Sequence, residues 1–221
     1  MNRRKSLKNI DRTKDSRFRL AGLSFGLLAV ALWLILAPSP GAISKTQAVG
    51  RLHEGVFLVA TSQLGDPNFS ETVVLLVHYD KRGATGLVVN RKTDVPVDRA
   101  IPEAKGLEGL SRFLFVGGPV QRDLLLALIE TDKGLPDAQK ILDRTYMTLD
   151  KETLLGSIKG GNGTQAVRIY SGYSGWGPGQ LDGEVIRGDW TVIDADPDSV
   201  FSNDPSGIWE KLSKMGEKIQ I

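Results

Sequence analysis

The sequence predicts an α+β domain built on a mixed or mainly antiparallel sheet and preceded by one transmembrane helix. Three observations carry this. From about residue 51 onward, short apolar runs of strand length, rich in β-branched and aromatic residues, are bounded by Gly, Pro, Asn and Asp. They do not alternate regularly with helical segments, which argues against a doubly wound parallel fold. Ahead of them, residues 20–37 form an uncharged apolar stretch.

That stretch, LAGLSFGLLAVALWLILA, has eighteen residues. At about 1.5 Å rise per residue it spans roughly 27 Å, close to a hydrocarbon core of about 30 Å. The rival reading is a cleavable signal peptide, because Ser39 and Gly41 offer small residues behind it. A signal core runs only about 7 to 15 residues, and Pro38 and Pro40 crowd the site, so an uncleaved signal-anchor fits better. Eight Lys/Arg precede the segment and only Lys45 and Arg51 lie close behind it. The positive-inside rule therefore puts the head, residues 1–19, in the cytoplasm and the body outside the inner membrane; a cytoplasmic body is the alternative. The bilayer is thus an expected partner through residues 20–37, and Gly22 and Gly26 give the small-xxx-small spacing that would let two such helices pack as a homodimer. Residues 38–50 (PSPGAISKTQAVG) read as a tether and residues 51–221 as the folded domain.

Within that domain, GVFLVA at 55–60 and TVVLLVHY at 72–79 are buried-strand runs, with a turn at 65–69 between them (Asp66 and Pro67). Asp80 to Gly83 is a tight turn into a strand at 85–90, giving an antiparallel hairpin. A further strand at 113–116 ends in Gly117-Gly118-Pro119, where two glycines permit a sharp turn. Residues 124–130 read as strand or helical turn. Asp150 caps a short amphipathic helix carrying Leu154, Leu155 and Ile158. Residues 166–170 resume strand, 183–193 look like strand around a turn at Gly188, and 208–215 close the chain as a helix with Trp209, Leu212 and Met215.

Composition removes whole classes of chemistry. With no cysteine, thiolate zinc sites, disulfides and thiol catalysis are excluded, and with only His53 and His78 a multi-imidazole mechanism has no material. Residues 1–49 carry nine Lys/Arg against two acids, which leaves nineteen basic and twenty-four acidic residues in the body, a net −5. A body of that sign repels phosphate backbones, so no nucleic-acid partner is expected.

Motif tests narrow it further. No GxxxxGK[ST] occurs, and the glycines at 160, 161 and 163 precede a strand rather than open a helix. GYSGW at 172–176 is not a nucleophile elbow, because Trp176 stands where glycine is needed and no histidine follows Ser174. Neither histidine has metal-ligand spacing; Glu54 or Asp80 would have to assist, so no metal and no cofactor is expected. Asp182 and Glu184, alternating on one strand face beside the Gly/Trp segment, make the best carboxylate pair. The run 172–181, with glycine at 172, 175, 177 and 179, is the densest special-backbone segment of the chain.

In order along the chain, LVATSQLGDPNFSETVVLLVHYDKRGATGLVVNR, FVGGPV and SGYSGWGPGQLDGEVIRGDW resemble the consecutive signatures of the bacterial AlgH/YqgE family (UPF0301, DUF179-type), over roughly residues 51–217. The matching positions are Asp66, Pro67, Phe69, Gly83, Gly86, Asn90, Gly117, Gly118, Pro119, Gly172, Tyr173, Gly175, Trp176, Gly177, Gly179, Gln180, Leu181, Glu184 and Trp190. The resemblance implies a single compact α+β domain with a bent, barrel-like sheet flanked by helices, and a family whose members have been called transcriptional regulators without established catalytic residues. This chain departs from the pattern at Lys92, where proline is usual, in the fully apolar Leu124–Ile129 run that lacks the usual histidine, and in its anchor.

The resulting expectation is a membrane-tethered, non-enzymatic binding or regulatory domain with an unidentified protein or small-molecule partner. Its binding surface would draw on Asn90, Gly117, Gly118, Pro119, Tyr173, Ser174, Trp176, Gln180 and Glu184, with Trp176 either an exposed anchor or a core residue. The alternative is a hydrolase-like enzyme using Asp66, Asp182 or Glu184, with Gln180 and loop amides as oxyanion donors. A transcriptional regulator ranks third.

Overall fold

A computed structural model describes residues 45–105, 110–159 and 163–219. The expected head, membrane helix and most of the tether lie outside the described residues; among those that are described, no helix is long and apolar enough to cross a membrane.

The strands are β1 (Val56–Ala60), β2 (Val73–Asp80), β3 (Gly83–Val88), β4 (Lys92–Pro96), β5 (Phe113–Val116), β6 (Val120–Thr131), β7 (Gln139–Leu142), β8 (Thr145–Thr148), β9 (Thr164–Trp176) and β10 (Trp190–Asp194). The helices are α1 (Lys45–Val49), α2 (Val97–Ala100), α3 (Lys151–Lys159), α4 (Gln180–Arg187), α5 (Pro197–Val200) and α6 (Ile208–Ile219). The strands form one large sheet in the order β10-β1-β2-β3-β9-β6-β8-β7, with β4 antiparallel to β5 and β5 parallel to β9. All other pairings are antiparallel. The sheet is mixed and mainly antiparallel, as expected.

β9 makes the sheet bend. Its first ten residues pair with β6, its last three pair with β3, and a bulge in β6 between Val120 and Leu125 absorbs the turn. The curvature brings the far edge back, so that Gln139 Nε2 of β7 donates to Val77 O of β2 at 3.0 Å. Inside the bend, Phe57, Val59, Leu75, Leu87, Leu128 and Tyr170 form the central cluster, joined by Val200 of α5 and by Ile208 and Leu212 of α6. On one outer face Val56, Leu58, Val74 and Leu76 meet Leu181 and Val185 of α4. On the other, Ala127, Ile129, Val167 and Ile169 meet Leu154 and Leu155 of α3. Because both faces of β1 and β2 are covered, these strands are continuously apolar instead of alternating.

Local signals behave as their chemistry dictates. Asp66 caps the single turn Pro67–Phe69 by accepting from Asn68 N at 2.8 Å. Asp150 Oδ2 takes Thr153 N at 2.7 Å at the start of α3, and those bonds hold its carboxyl below the usual range.

One open expectation is decided and three are corrected. Residues 124–130, open between strand and helical turn, are strand throughout and belong to a longer β6. The stretch 180–187 is helix: Leu181 and Val185, four apart, face the sheet together, whereas its β-branched residues had suggested strand. The glycine-rich run 172–181 is not one loop, since residues through Trp176 complete β9, three residues turn, and α4 begins at Gln180. The tether expected over 38–50 ends in α1, whose Ala48 and Val49 pack against the outer cluster beneath α4.

Candidate functional site

The motif residues fall into two adjoining constellations strung along β9. In the first, the chain leaving β5 crosses β9 at backbone contact. A Cβ on Gly117 would lie 2.1 Å from Gly172 O, and one on Gly118 would lie 2.2 Å from Tyr173 C and O. Gly117 N donates to Ser171 O at 3.0 Å, Val88 N donates to Gly117 O at 2.8 Å, and the fully buried Ser174 hydroxyl reaches Gly117 O at 3.3 Å. The glycines serve the approach of the chain to itself. Pro119 is exposed beside this crossing and Tyr173 half-buried.

The second constellation centres on Glu184. Its Oε2 accepts from the indole N–H of both Trp176 and Trp190 at 2.8 Å each, and its Oε1 from Gln180 Nε2 at 3.0 Å. Gln180 in turn accepts Gly177 N at 3.1 Å, which fixes the turn into α4. Trp176 and Trp190 meet edge to face at 6.1 Å, and Phe69 packs on both, stacked on Trp176 at 6.4 Å and edge-on to Trp190 at 5.7 Å. Trp176 is 7% exposed, so of its two readings the structure takes the core one.

Asp182, two residues before Glu184, sits about 200° round a helix from it. It accepts the Tyr79 hydroxyl at 2.9 Å, so the expected carboxylate pair is separated. Burial, reinforced by Asp182, pushes the Tyr79 phenol up to about 12. Asn90 reaches the hub only through the 66–72 loop: its side chain accepts Val73 N at 3.0 Å and donates to Glu71 O at 2.9 Å. The neighbouring Arg91 donates to Ser70 O at 3.1 Å and Thr72 Oγ1 at 2.7 Å. Together they hold the loop that presents Phe69. His78 pairs with Glu54 at 3.1 Å and Asp80 at 3.6 Å on an exposed strand end, and no group of three potential ligands able to hold a metal occurs among the described residues.

Beside the hub, at the β10 edge of the sheet, where residues of the inner and outer clusters meet, lies a groove of about 530 Å³. Trp190 and Trp209 contribute apolar wall, Gln63 and Thr61 polar wall, and Arg51 and Arg187 cations. Arg187 is held by Asp189 at 2.7 Å and Arg51 by Asp194 at 3.5 Å, while Trp209 Nε1 donates to Ala60 O at 2.8 Å. Sequence reading missed this groove, because its residues come from four separated segments that share no local pattern.

The comparisons with known proteins agree with the motif pattern. A family model described as DUF179, AlgH-like, matches residues 57–220. A UPF0301 protein of Mycobacterium tuberculosis is 34% identical over 173 residues, covering 75% of this chain and 83% of the relative. One from Streptomyces avermitilis is 36% identical over 166 residues, covering 72% and 83%. Among solved structures, a crystal structure of a Corynebacterium diphtheriae protein superposes with a TM-score of 0.65 at 20% identity over 86% of this chain and 97% of its own, a likeness of fold alone. The solution structure of the AlgH protein from Pseudomonas aeruginosa gives 0.59 at 29% identity over 76% and 89%.

Proposed function

The chain belongs to the AlgH-like DUF179 family, and from that premise we propose that it is a membrane-tethered, non-enzymatic binding domain whose groove beside the Glu184 hub takes a small amphipathic molecule. The observation that carries this reading is the state of Glu184. Its carboxylate is occupied by two indole N–H groups and an amide, so the acid best placed by the motif serves as a packing centre. Asp182 is likewise held by Tyr79. The groove beside them offers what a binding site offers: aromatic faces, amide and hydroxyl groups and two cations in a concave wall.

A thermal-shift screen of metabolites tests it. A ligand that raises the melting temperature of the wild-type chain loses its effect in Gln63→Trp, which fills the groove, and is recovered chemically unchanged. A hit indifferent to Gln63→Trp would count against the groove; capture of a protein that this substitution releases would replace the small molecule with a protein partner. Turnover that disappears in Glu184→Gln without loss of melting temperature would favour the hydrolase-like alternative.

Tethering rests on residues 20–37 and the eight basic residues ahead of them. With the body outside the cytoplasmic membrane, a C-terminal alkaline phosphatase fusion is expected to be active. Inactivity of that fusion, with fluorescence from a reporter that matures only in the cytoplasm, would reverse the topology.

A further inference from the structure

The body carries a net −5, yet one side of it is locally cationic. β9 explains how. Val167 and Ile169 point outward under α3, which turns Arg168 and Tyr170 inward on the alternate face. Arg168 is 6% exposed. Its Nη1 donates to Val200 O at 2.6 Å and to Val89 O at 3.4 Å, and its Nη2 donates to Ser202 O. The guanidinium also lies 4.5 Å above the Phe115 ring and 6.0 Å from that of Phe201. Every one of these partners is neutral. Among the described residues no carboxylate pairs with it, so its N–H groups are largely satisfied while its charge is not.

A groove of about 300 Å³ opens over this guanidinium, walled by Lys92, Ser111, Phe201 and Asn203. Lys92 Nζ sits 5.0 Å from the Phe113 ring centroid and, like Arg168, has no carboxylate partner among the described residues. The adjoining groove adds Arg91 and Asp204. Asp204 is already engaged by Ser206 Oγ at 2.7 Å and Gly207 N at 3.2 Å. Because the Arg91 guanidinium is turned into the 66–72 loop, where it also feels Asp66, the local field rests on Arg168 and Lys92 against one occupied carboxylate, and it gathers anions. Beneath Arg168, the wholly buried Tyr170 hydroxyl has no hydrogen-bond partner. Burial pushes that phenol up to about 12 against the opposing pull of Arg168.

The geometry points to an oxyanion site: Arg168 on the floor and Lys92 on the wall bind the phosphate or carboxylate group of a small ligand, with the Asn203 amide as a further donor. A guanidinium whose charge has no carboxylate partner suits such a group, and Lys92 supplies the second charge without fixed geometry. The site shares no residue with the groove beside the Glu184 hub, so either can fail without the other.

Melting of the full chain in titrations of inorganic phosphate and of acetate, with ionic strength held constant by sodium chloride, tests the proposal. A saturable rise with one or both anions and none with chloride is expected, and the anion that acts at lower concentration identifies the group recognised. Lys92→Ala should weaken that response by about tenfold or more, as loss of a direct charge contact does. Arg168→Lys should weaken it too, but Arg168 also ties down the 200–202 turn, so the exposed Lys92 decides if that variant does not fold. The proposal is overturned if neither anion exceeds chloride, if Lys92→Ala titrates like the wild type, or if Gln63→Trp abolishes the response and so places the anion in the other groove.

Discussion

Gly118→Ala should abolish cooperative folding of the body, or leave it at least about 4 kcal/mol less stable, an effect at the extreme of single substitutions. The reason is the crossing of the β5–β6 connection over β9. An added methyl carbon at 118 would stand 2.2 Å from Tyr173 C and O and 2.4 Å from Ser174 N. All three are backbone atoms of a strand paired to its neighbours, so no side-chain rotation relieves the clash and the sheet must part where it bends. Two glycines serve as controls because each lacks that clash. Gly179 precedes α4 at φ 69 with nothing within 4 Å of a Cβ, so Gly179→Ala should cost only the left-handed penalty of about 1 to 2 kcal/mol. Gly65 has neither a near neighbour nor a positive φ, and Gly65→Ala should stay within about 0.5 kcal/mol of the wild type. Urea melts of the three variants by circular dichroism decide it. A Gly118→Ala midpoint close to that of Gly179→Ala would mean that the crossing is slack and that its glycines serve something other than the fold.

Strand-length apolar runs made β1, β2, β3 and β5 legible because both faces of the sheet are covered, which leaves an unbroken apolar signature. β4, β7 and β8 were not legible. KTDVP is mostly exposed, and QKIL at the sheet edge and TYMT beside it are four-residue pieces joined through Asp143 and Arg144, where Arg144 takes φ 54 without the glycine that normally marks such a turn. α4 misread as strand for a physical reason too: Gly183 and two adjacent β-branched residues lower its helix propensity, and packing of Leu181 and Val185 under the sheet overrides that. The motif residues were found, but their grouping was not. Spacing along a strand places Asp182 and Glu184 side by side, whereas helical geometry sends one to Tyr79 and the other to the two tryptophans. Neither groove carries a signature, since each is assembled from segments far apart in the chain.

Trp176→Ala is expected to lose roughly 3 to 5 kcal/mol of stability, the range for removing a buried large aromatic. With a urea m value of about 2 kcal/mol/M for a domain of this size, that is a midpoint lower by roughly 1.5 to 2.5 M. Two losses combine. The cavity strips packing from Phe69 and Trp190, whose rings lie 6.4 and 6.1 Å from that of Trp176, and Glu184 Oε2 is left with one indole donor where it had two. Trp176→Phe separates the terms: it keeps an aromatic ring and gives up the N–H, so it should cost about 1 kcal/mol for the donor lost from the half-buried Glu184, together with a smaller packing loss. A double-mutant cycle pairing Trp176→Phe with Glu184→Gln should then show a coupling of about 0.5 to 3 kcal/mol, because the two groups meet in one hydrogen bond. If Trp176→Ala shifts the midpoint by less than the equivalent of about 1 kcal/mol, the tryptophan is not a core residue in solution. It then returns to the role of an exposed anchor, and Glu184 keeps only the Trp190 indole and the Gln180 amide as donors.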